Sequence, residues 1–304
     1  MKRCIILIIM ALVYLGLEQL VERKTRGFWV QRIQADDLMS LKEKPCPLTP
    51  EVQEKLEQPY IFLGAGSECF AFLSQDGTTV IKFFKLDRFR PVYLHRGLFC
   101  EDYSSFAGTV AQHTFPVEAL PSWAAHLLKR LWGIREYRLQ RTFESIQLAY
   151  GDLKEETGLL YLHLQPQGKF KPLILFDACG IAHNIDLNTT RFVLQKRATS
   201  IEEHFSSLSE EEGKQSLDSL LALLFKRCMK GIHDRDIVPR NFGFLGTEAI
   251  EIDTGSFSFN PHMKEAWLYR QELFYSTLDL KLWLEKTHPS LATYLVERIQ
   301  EEYS

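Results

Sequence analysis

Two short polar segments in the C-terminal half constrain this chain more than any other feature. The first, Gly-Ile-His-Asp-Arg-Asp-Ile-Val-Pro-Arg-Asn-Phe-Gly-Phe from Gly231 to Phe244, places Asn241 five positions after Asp236. The second, Ile250-Glu-Ile-Asp-Thr-Gly255, brings Asp253 twelve positions after Asn241. Each segment alone is also typical of a solvated salt-bridge cluster or a plain turn. The constraint therefore comes from their order and spacing, taken together with a glycine-bearing segment earlier in the chain.

A glycine-bearing hairpin is predicted far upstream of these two segments. Residues 60 to 73 alternate apolar positions around Gly64 and Gly66, and the chain then turns at Asp76-Gly77 into a second apolar run that carries Lys82. Glycines in a strand turn let backbone N–H groups approach phosphate oxygens, and a lysine on the following strand can reach the same phosphates. A hairpin that only packs on a core is the alternative for this motif in isolation.

The hairpin and the two polar segments together resemble the protein-kinase superfamily over roughly residues 60 to 258. Leu63-Gly-Ala-Gly-Ser67 is similar to its Gly-rich loop, and Val80-Ile-Lys82 is similar to the strand whose lysine holds the ATP phosphates. The resemblance implies that ATP is a cofactor and that its phosphates are bound by Gly64, Gly66, Ser67 and Lys82.

The polar segments resemble the catalytic loop and the metal-binding turn of the same superfamily. This implies that Asp236 acts on the acceptor hydroxyl, with Lys82 as the second catalytic residue. It also implies that Asn241 and Asp253 bind Mg²⁺, for which oxygen ligands are suited. Two positions depart from the family pattern. Cys69 stands at the third glycine of the loop, and Asp234 stands where the family has a histidine.

The remaining site residues come from a long helix and a strand. Ser122 as N-cap, apolar residues at three- and four-residue steps and Gly158 as a stop predict one helix to about Glu156. By the resemblance this helix supplies a glutamate to the strand lysine, for which Glu136 is the candidate and Glu144 the reserve. An ordinary solvated glutamate is the alternative for both. The run from Phe192 resembles the hinge between lobes, where backbone groups of Lys196 to Ala198 would meet adenine.

The predicted fold class is α+β, with the two lobes of a protein-kinase-like fold. The N-lobe is expected to hold a five-stranded antiparallel sheet and one long helix, and the small C-lobe to be mostly helical. The predicted boundaries are a hydrophobic anchor or signal segment at 1–20, a linker at 21–59, the N-lobe at 60–198 and the C-lobe at 199–304.

The N-terminal segment carries an apolar run from Cys4 to Leu17 behind Lys2 and Arg3. At about 1.5 Å per residue the run is shorter than the ~30 Å hydrocarbon core of a membrane. Basic residues after the run favour a catalytic domain on the cytoplasmic side of the membrane with which this segment associates. A buried or amphipathic helix is the alternative.

The acceptor and the class of activity are bounded by composition and by the residues after the Asp-Thr-Gly turn. A formal charge of -3 argues against a nucleic-acid partner, and the six widely spaced cysteines indicate neither a zinc site nor a disulfide framework. Only 49 residues come after Gly255, and they contain no Ala-Pro-Glu element. The segment Asp236-Ile-Val-Pro-Arg-Asn241 is similar to the Asp-Leu-x-Pro-x-Asn pattern of an atypical bacterial branch, the lipopolysaccharide-core sugar kinases and small-molecule phosphotransferases. The chain resembles this branch more than a membrane-tethered protein kinase.

The resemblance implies a kinase-like phosphotransferase whose acceptor is a hydroxyl, with a glycolipid sugar as the first expectation and another small molecule or a protein after it. A pseudokinase that binds nucleotide or a partner without transferring phosphate is the alternative, favoured by Cys69 and Asp234. Retention of Lys82, Asp236, Asn241 and Asp253 favours catalysis. The insertion at 83–121 has no predicted role.

Overall fold

The computed structural model describes residues 13, 16, 19–34, 46–86, 122–165, 168 and 170–303. Within this part, residues 122–136 are described as helical backbone without their side chains. Most of the apolar N-terminal run and most of the 83–121 insertion lie outside the described residues.

A seven-stranded mixed sheet dominates the N-terminal part, with the strand order β4-β7-β3-β2-β1-β5-β6. Strands β1 and β5 run parallel, and the other neighbours in the sheet run antiparallel. The strands are β1 (Tyr60–Ala65), β2 (Cys69–Ser74), β3 (Thr79–Phe84), β4 (Leu159–His163), β5 (Leu173–Phe176), β6 (Ala182–Ile185) and β7 (Phe192–Lys196).

The prediction of a five-stranded antiparallel sheet is wrong in strand number and in the β1–β5 pairing. The segment from Tyr60 to Leu73, expected as one arm of a hairpin, folds back on itself between β1 and β2 around Gly66, whose N–H donates to the Cys69 carbonyl at 3.0 Å. The second added strand, β6, was missed because Ala-His-Asn-Ile carries no apolar alternation, and only Ile185 of this strand is buried.

Several helices begin at the residues that their capping chemistry indicates. Thr49 caps the helix that begins at Pro50 by accepting from the Val52 N–H, and Ser209 and Glu212 form a capping box at the helix that begins at Glu210. The predicted long helix ends earlier than expected, because Leu153 separates it from a short helix that stops at Gly158, where φ is 61°. The helices are α1 (Pro50–Leu56), α2 (Ser122–Asp152), α3 (Lys154–Thr157), α4 (Ile201–Ser206), α5 (Glu210–Met229), α6 (Ala266–Thr287) and α7 (Pro289–Tyr303).

The C-terminal part is mostly helical, as predicted, and has its own core. Helices α4 to α7 bury one apolar cluster that includes Leu217, Leu224, Phe244, Leu280 and Leu295. Two small ribbons lie beside it and carry the polar segments, one of three strands and one of two. Their strands are β8 (Thr199–Ser200), β9 (Ile232–Asp234), β10 (Phe242–Leu245), β11 (Glu248–Glu251) and β12 (Phe257–Phe259).

Residues before β1 pack against one face of the large sheet. Phe28 and Ile33 from the N-terminal segment, and Val52 and Leu56 from α1, are buried in the same cluster as Phe70 of β2. No helix in the described part of the chain is both long and apolar enough to cross a membrane.

Candidate active site

Lys82 and the Asp-Thr-Gly turn meet although they are far apart in the chain. The Lys82 side chain leaves β3 and its Nζ donates to the Ile252 carbonyl at 2.5 Å, directly before Asp253. Burial lowers the pKa of Lys82, and the negative charge of Asp253 acts in the opposite direction. The Asp253 carboxylate is exposed and accepts from the Gly255 N–H at 3.2 Å. The fold thus places one cation and one carboxylate side by side.

Asn241 is held against the same turn by its backbone. Its carbonyl accepts from the N–H groups of Ile252 at 2.6 Å and Asp253 at 3.4 Å. Its side-chain nitrogen donates to the Asp236 carbonyl at 2.6 Å, which fixes the amide orientation and leaves the amide oxygen as the atom suited to a cation. The loop and the turn predicted from sequence therefore lie together.

Asp236 lies at the exposed tip of this loop. Its carboxylate is exposed, while its backbone is fixed at both ends: the N–H donates to Asp234 Oδ1 at 3.1 Å, and the carbonyl accepts from Asn241. A carboxylate with a fixed backbone and an open side chain is accessible to a hydroxyl-bearing molecule from solvent.

Asp234, which departs from the family pattern, is fully buried and joins the two polar segments. Its Oδ1 accepts from the Ser256 hydroxyl as well as from the Asp236 N–H. Arg235 adds a second link, since its Nε donates to the Ser256 carbonyl at 3.1 Å. The buried Asp234 carboxylate therefore connects the loop with Asp236 to the residue after the Asp-Thr-Gly turn. Ser256 was not predicted as a site residue, because a serine after Asp-Thr-Gly carries no signal of its own.

The Gly-rich loop lies over the turn through Glu68, which was also missed. A Cβ added at Gly255 would lie 3.4 Å from Glu68 Oε2 and 3.5 Å from Asp253 Oδ1, so both carboxylates border Gly255. Thr142 on α2 donates to Glu68 Oε2 at 3.1 Å. A Cβ added at Gly66 would meet no atom within 4 Å, so the loop keeps open space above its backbone.

Cys69 follows this loop on β2, at the position where the family has glycine. Burial raises the pKa of its thiol, and the charges of Lys82 and Asp253 also act on it. The thiol therefore lies at the site as a neutral group. Ser67, predicted to bind phosphate, lies between Gly66 and Glu68 in the same turn.

Helix α2 contacts the site through small polar residues. Ser145 donates to the Thr254 carbonyl at 2.6 Å and accepts from the Phe257 N–H at 2.6 Å. The reserve candidate Glu144 is exposed and accepts from Gln140, so the structure does not bring it to Lys82. The first candidate, Glu136, lies on α2, and its side chain is outside the described part.

The predicted hinge is only partly able to meet a ligand. The Lys196 N–H donates to the Gly158 carbonyl at 2.8 Å, and the Arg197 N–H donates to the Thr78 carbonyl at 2.9 Å. Ala198 follows these two residues, and its N–H donates to no described residue. Of the predicted hinge donors, Ala198 is therefore the one available to an adenine edge, because burying an unpaired N–H against a ligand satisfies it.

A buried charge cluster lies beneath the site. Arg227 of α5, fully buried, donates to Glu251 of β11 and to Glu272 of α6, the latter at 2.8 Å, and it lies 4.0 Å from Asp234 of β9. Burial raises the pKa of Glu251 to about 8, although Arg227 lowers it. One cation therefore joins four elements, two of which lead directly into the loop with Asp236 and the Asp-Thr-Gly turn. Sequence periodicity gave no sign of it, since Arg227 lies within an apolar helix.

The donor set at the turn fits Mg²⁺ only in combination with a phosphate ligand. In the described residues no group of three or more His, Cys, Asp or Glu side chains is arranged to hold a metal ion. Mg²⁺ is commonly bound by one or two protein oxygens together with waters and substrate phosphates, which the pair Asp253 and Asn241 can provide for.

Comparison with known proteins yields no family assignment. No family model matches the chain, and no curated protein sequence matches it. Among solved structures, it is similar to Rv3197 of Mycobacterium tuberculosis, solved as a complex with erythromycin: identity is 14%, the TM-score is 0.36, and 81% of this chain and 56% of that chain are covered.

Two structures of the bifunctional kinase-methyltransferase WbdD are also similar, each with 15% identity, a TM-score of 0.31 and 78% of this chain covered. They are covered over 42% and 43% of their own length, so the chain spans about half the length of the solved structures it matches. Likeness at this level carries no argument about activity, which rests on the geometry of the site.

Proposed function

We propose that the chain is a kinase-like phosphotransferase that uses ATP and Mg²⁺ to move the γ-phosphate to a hydroxyl acceptor. The observation that supports this most is the convergence of Lys82, Asn241 and Asp253 on the Ile252–Asp253 backbone, linked by hydrogen bonds of 2.5, 2.6 and 3.4 Å. Because no structural requirement demands a half-buried lysine, an amide and a carboxylate at one point, their meeting favours a ligand with phosphate charge.

The nucleotide would lie between the large sheet and the helical part. Lys82 would exchange its contact with the Ile252 carbonyl for phosphate oxygens, and the backbone around Gly64 and Gly66 would approach the same group. The Ala198 N–H would donate to the adenine edge.

Asn241 and Asp253 would hold Mg²⁺, which when bound neutralises charge on the phosphates. Glu68 lies beside Asp253, and two carboxylates that border one glycine favour a cation between them. Asp236 would orient the acceptor hydroxyl and take its proton, since its carboxylate is exposed and its backbone is fixed.

The proposed acceptor is a sugar hydroxyl on a glycolipid, with other small molecules next. The apolar N-terminal run and the basic residues behind it support membrane association with the site on the cytoplasmic side. The overall charge of -3 supports a partner other than nucleic acid.

A nucleotide-binding module without transfer is the second candidate, and the loop favours it. Cys69 replaces the glycine that would allow the loop to close over phosphate, and the Glu68 carboxylate adds negative charge where phosphate oxygens would lie. Bound Mg²⁺ would offset that charge, so the two candidates differ in the chemical step and not in ATP binding.

Asp236→Asn tests the proposal, with Asp234→Asn as the matched control on the same loop. We expect Asp236→Asn to keep Mg²⁺-ATP binding and to slow phosphoryl transfer by roughly 100-fold, the usual scale for losing a general base. Asp234→Asn should instead lower thermal stability, because Asp234 is buried and accepts from Ser256 and Asp236.

The assay is ATP hydrolysis or autophosphorylation, which needs no known acceptor, with binding measured by calorimetry. Equal activity of Asp236→Asn and wild type, together with an inactive and stable Asp234→Asn, would refute the assignment of the catalytic carboxylate. Wild type that binds Mg²⁺-ATP and transfers phosphate to no acceptor class tried would favour the second candidate.

A further inference from the structure

A basic cavity lies on the side of the Gly-rich loop opposite the candidate active site. It has a volume of about 470 Å³ and lies where the N-terminal helical segment meets the end of β3. Four cationic side chains line it, Arg23, Arg26, Arg32 and Lys85, against one acid, Glu22. Like charges converging on one space repel one another, so such an arrangement favours an anion in the middle.

Arg26 is placed there at a conformational cost. The helical segment that spans residues 19–25 ends in a Schellman arrangement, in which the Arg26 N–H donates to the Arg23 carbonyl and the Gly27 N–H donates to the Glu22 carbonyl, at 3.3 and 2.9 Å. Arg26 occupies the position where glycine is usual, and its φ is 50°. A non-glycine residue held in this left-handed region points to a functional constraint on its side chain.

The Arg23 and Arg26 side chains make no ion pair or hydrogen bond with any residue that the structure describes, and both are exposed. Arg32 and Lys85 do have partners: Arg32 donates to the Gly27 carbonyl at 2.5 Å, and Lys85 donates to the Gly66 carbonyl at 2.6 Å. The cavity therefore combines two fixed cations with two that remain available to a ligand.

The cavity is separate from the nucleotide site. Lys82 and Lys85 are an odd number of residues apart, so their side chains leave opposite faces of the sheet. Lys85 lies 4.4 Å from the centroid of the Phe70 ring, on the face that the N-terminal segment covers. Arg26 approaches the Gly-rich loop from this same face of the sheet, since a Cβ added at Gly64 would lie 3.7 Å from Arg26 Nη1.

We propose that this cavity binds the phosphate group of an anionic ligand. Guanidinium groups donate paired hydrogen bonds to phosphate oxygens, and two of the four cations are arginines without another partner among the described residues. The phosphate belongs either to a lipid headgroup or to a soluble phosphorylated molecule. Both present the same oxygens, and binding to two different probes separates them.

The test compares wild type, Arg26→Gly and the control Lys24→Gln in the full chain. Lys24 lies in the same helical segment, is exposed and does not line the cavity, so its replacement removes one charge of the same sign. Arg26→Gly places glycine at a positive φ, so it should raise Tm by about 2 °C while it removes the guanidinium. Loss of binding in a more stable variant cannot be attributed to misfolding.

Two probes are used: inorganic phosphate by calorimetry at constant ionic strength, and flotation with vesicles of phosphatidylcholine with or without phosphatidic acid. We expect Arg26→Gly to weaken phosphate binding about tenfold, or to abolish the preference for phosphatidic acid, while Lys24→Gln behaves as wild type. An effect on inorganic phosphate alone identifies a soluble ligand, and an effect on the vesicles alone identifies a lipid headgroup.

Three results would overturn the proposal. The first is wild type that binds neither probe through a saturable site. The second is an equal loss in Lys24→Gln, which would indicate unspecific attraction. The third is phosphate binding that survives in Arg26→Gly and disappears in Lys82→Met, which would place the anion in the nucleotide site. None of these depends on whether the chain transfers phosphate.

Discussion

Replacing Arg227 by methionine should destabilise the fold more than any other single charge removal in the described part of the chain. Arg227 is the cation that faces three buried carboxylates, on Asp234, Glu251 and Glu272. Methionine has a similar volume and no charge, so the acids would lose their counter-charge without a large cavity. Breaking a buried pair from one side costs about 3 to 5 kcal/mol. For a chain of this size this lowers Tm by about 10 °C.

The cost should also depend on pH, because burial raises the pKa of Glu251 to about 8. A raised carboxyl pKa means that the folded state binds the proton more tightly than the unfolded state, so this contribution to stability is lost as the pH rises through 8. Arg227 lowers that pKa, and its removal therefore raises it further. In Arg227→Met the stability therefore continues to fall at pH values where that of the wild type no longer changes. The free energy of unfolding lost by the substitution should be larger at pH 8.5 than at pH 6.

Urea unfolding of wild type and variant at the two pH values measures this loss. Arg298→Met is the matched control, since Arg298 pairs with Asp218 at 2.8 Å while their side chains are 35% and 42% exposed. Exposed pairs contribute less than about 1 kcal/mol. A loss below about 1 kcal/mol in Arg227→Met, or a loss that shrinks as the pH rises, would refute the argument.

Three further outcomes are expected. Lys82→Met should leave the fold intact and weaken ATP binding, and unchanged affinity in calorimetry would exclude Lys82 from the site. Asp253→Asn should remove the Mg²⁺ dependence of ATP binding, since an amide is a poorer ligand for a hard dication. Unchanged Mg²⁺ dependence in calorimetry would exclude Asp253. For His163, burial lowers the pKa from 6.5 to about 4. The unfolded chain then binds the proton more tightly, so up to about 3 kcal/mol of stability is lost as the pH falls from 6.5 to 4. His163→Phe should flatten this part of the unfolding profile, and an unchanged slope would contradict the argument.

Sequence patterns located most regular elements because local chemistry determines them. Thr49 and Pro50 begin α1, and Ser200 caps α4 through the Glu203 N–H. The strand with Lys82 was predicted from an apolar run, and the strand before Asp253 from the resemblance of the Asp-Thr-Gly segment. The number of strands in the large sheet was underestimated where the pairing is not evident from sequence. Strand β6 joins the sheet by pairing with β5, and the residues of β6 carry no strand pattern of their own.

The order of the polar residues also predicted that the loop with Asp236 and Asn241 and the turn with Asp253 lie near each other. Asp236, Asn241 and Asp253 lie on short turns next to one another, so their spacing in sequence translates directly into proximity. Their roles in catalysis and metal binding stay predictions, as do the domain boundaries. The reserve candidate Glu144 is exposed and accepts from Gln140 four residues earlier, which matches the alternative of an ordinary solvated glutamate, and the role of Glu136 stays a prediction.

The amino-acid sequence by itself determined local features: caps, turns, strand runs and the spacing of the polar loop. The tertiary structure alone decided the contacts between distant segments. Burial of Arg227 among three acids, the link from Asp234 to Ser256 and the basic cavity around Arg26 each join residues whose individual patterns are ordinary. Long-range electrostatics and burial depend on which elements pack together, and no periodicity within one element encodes that choice.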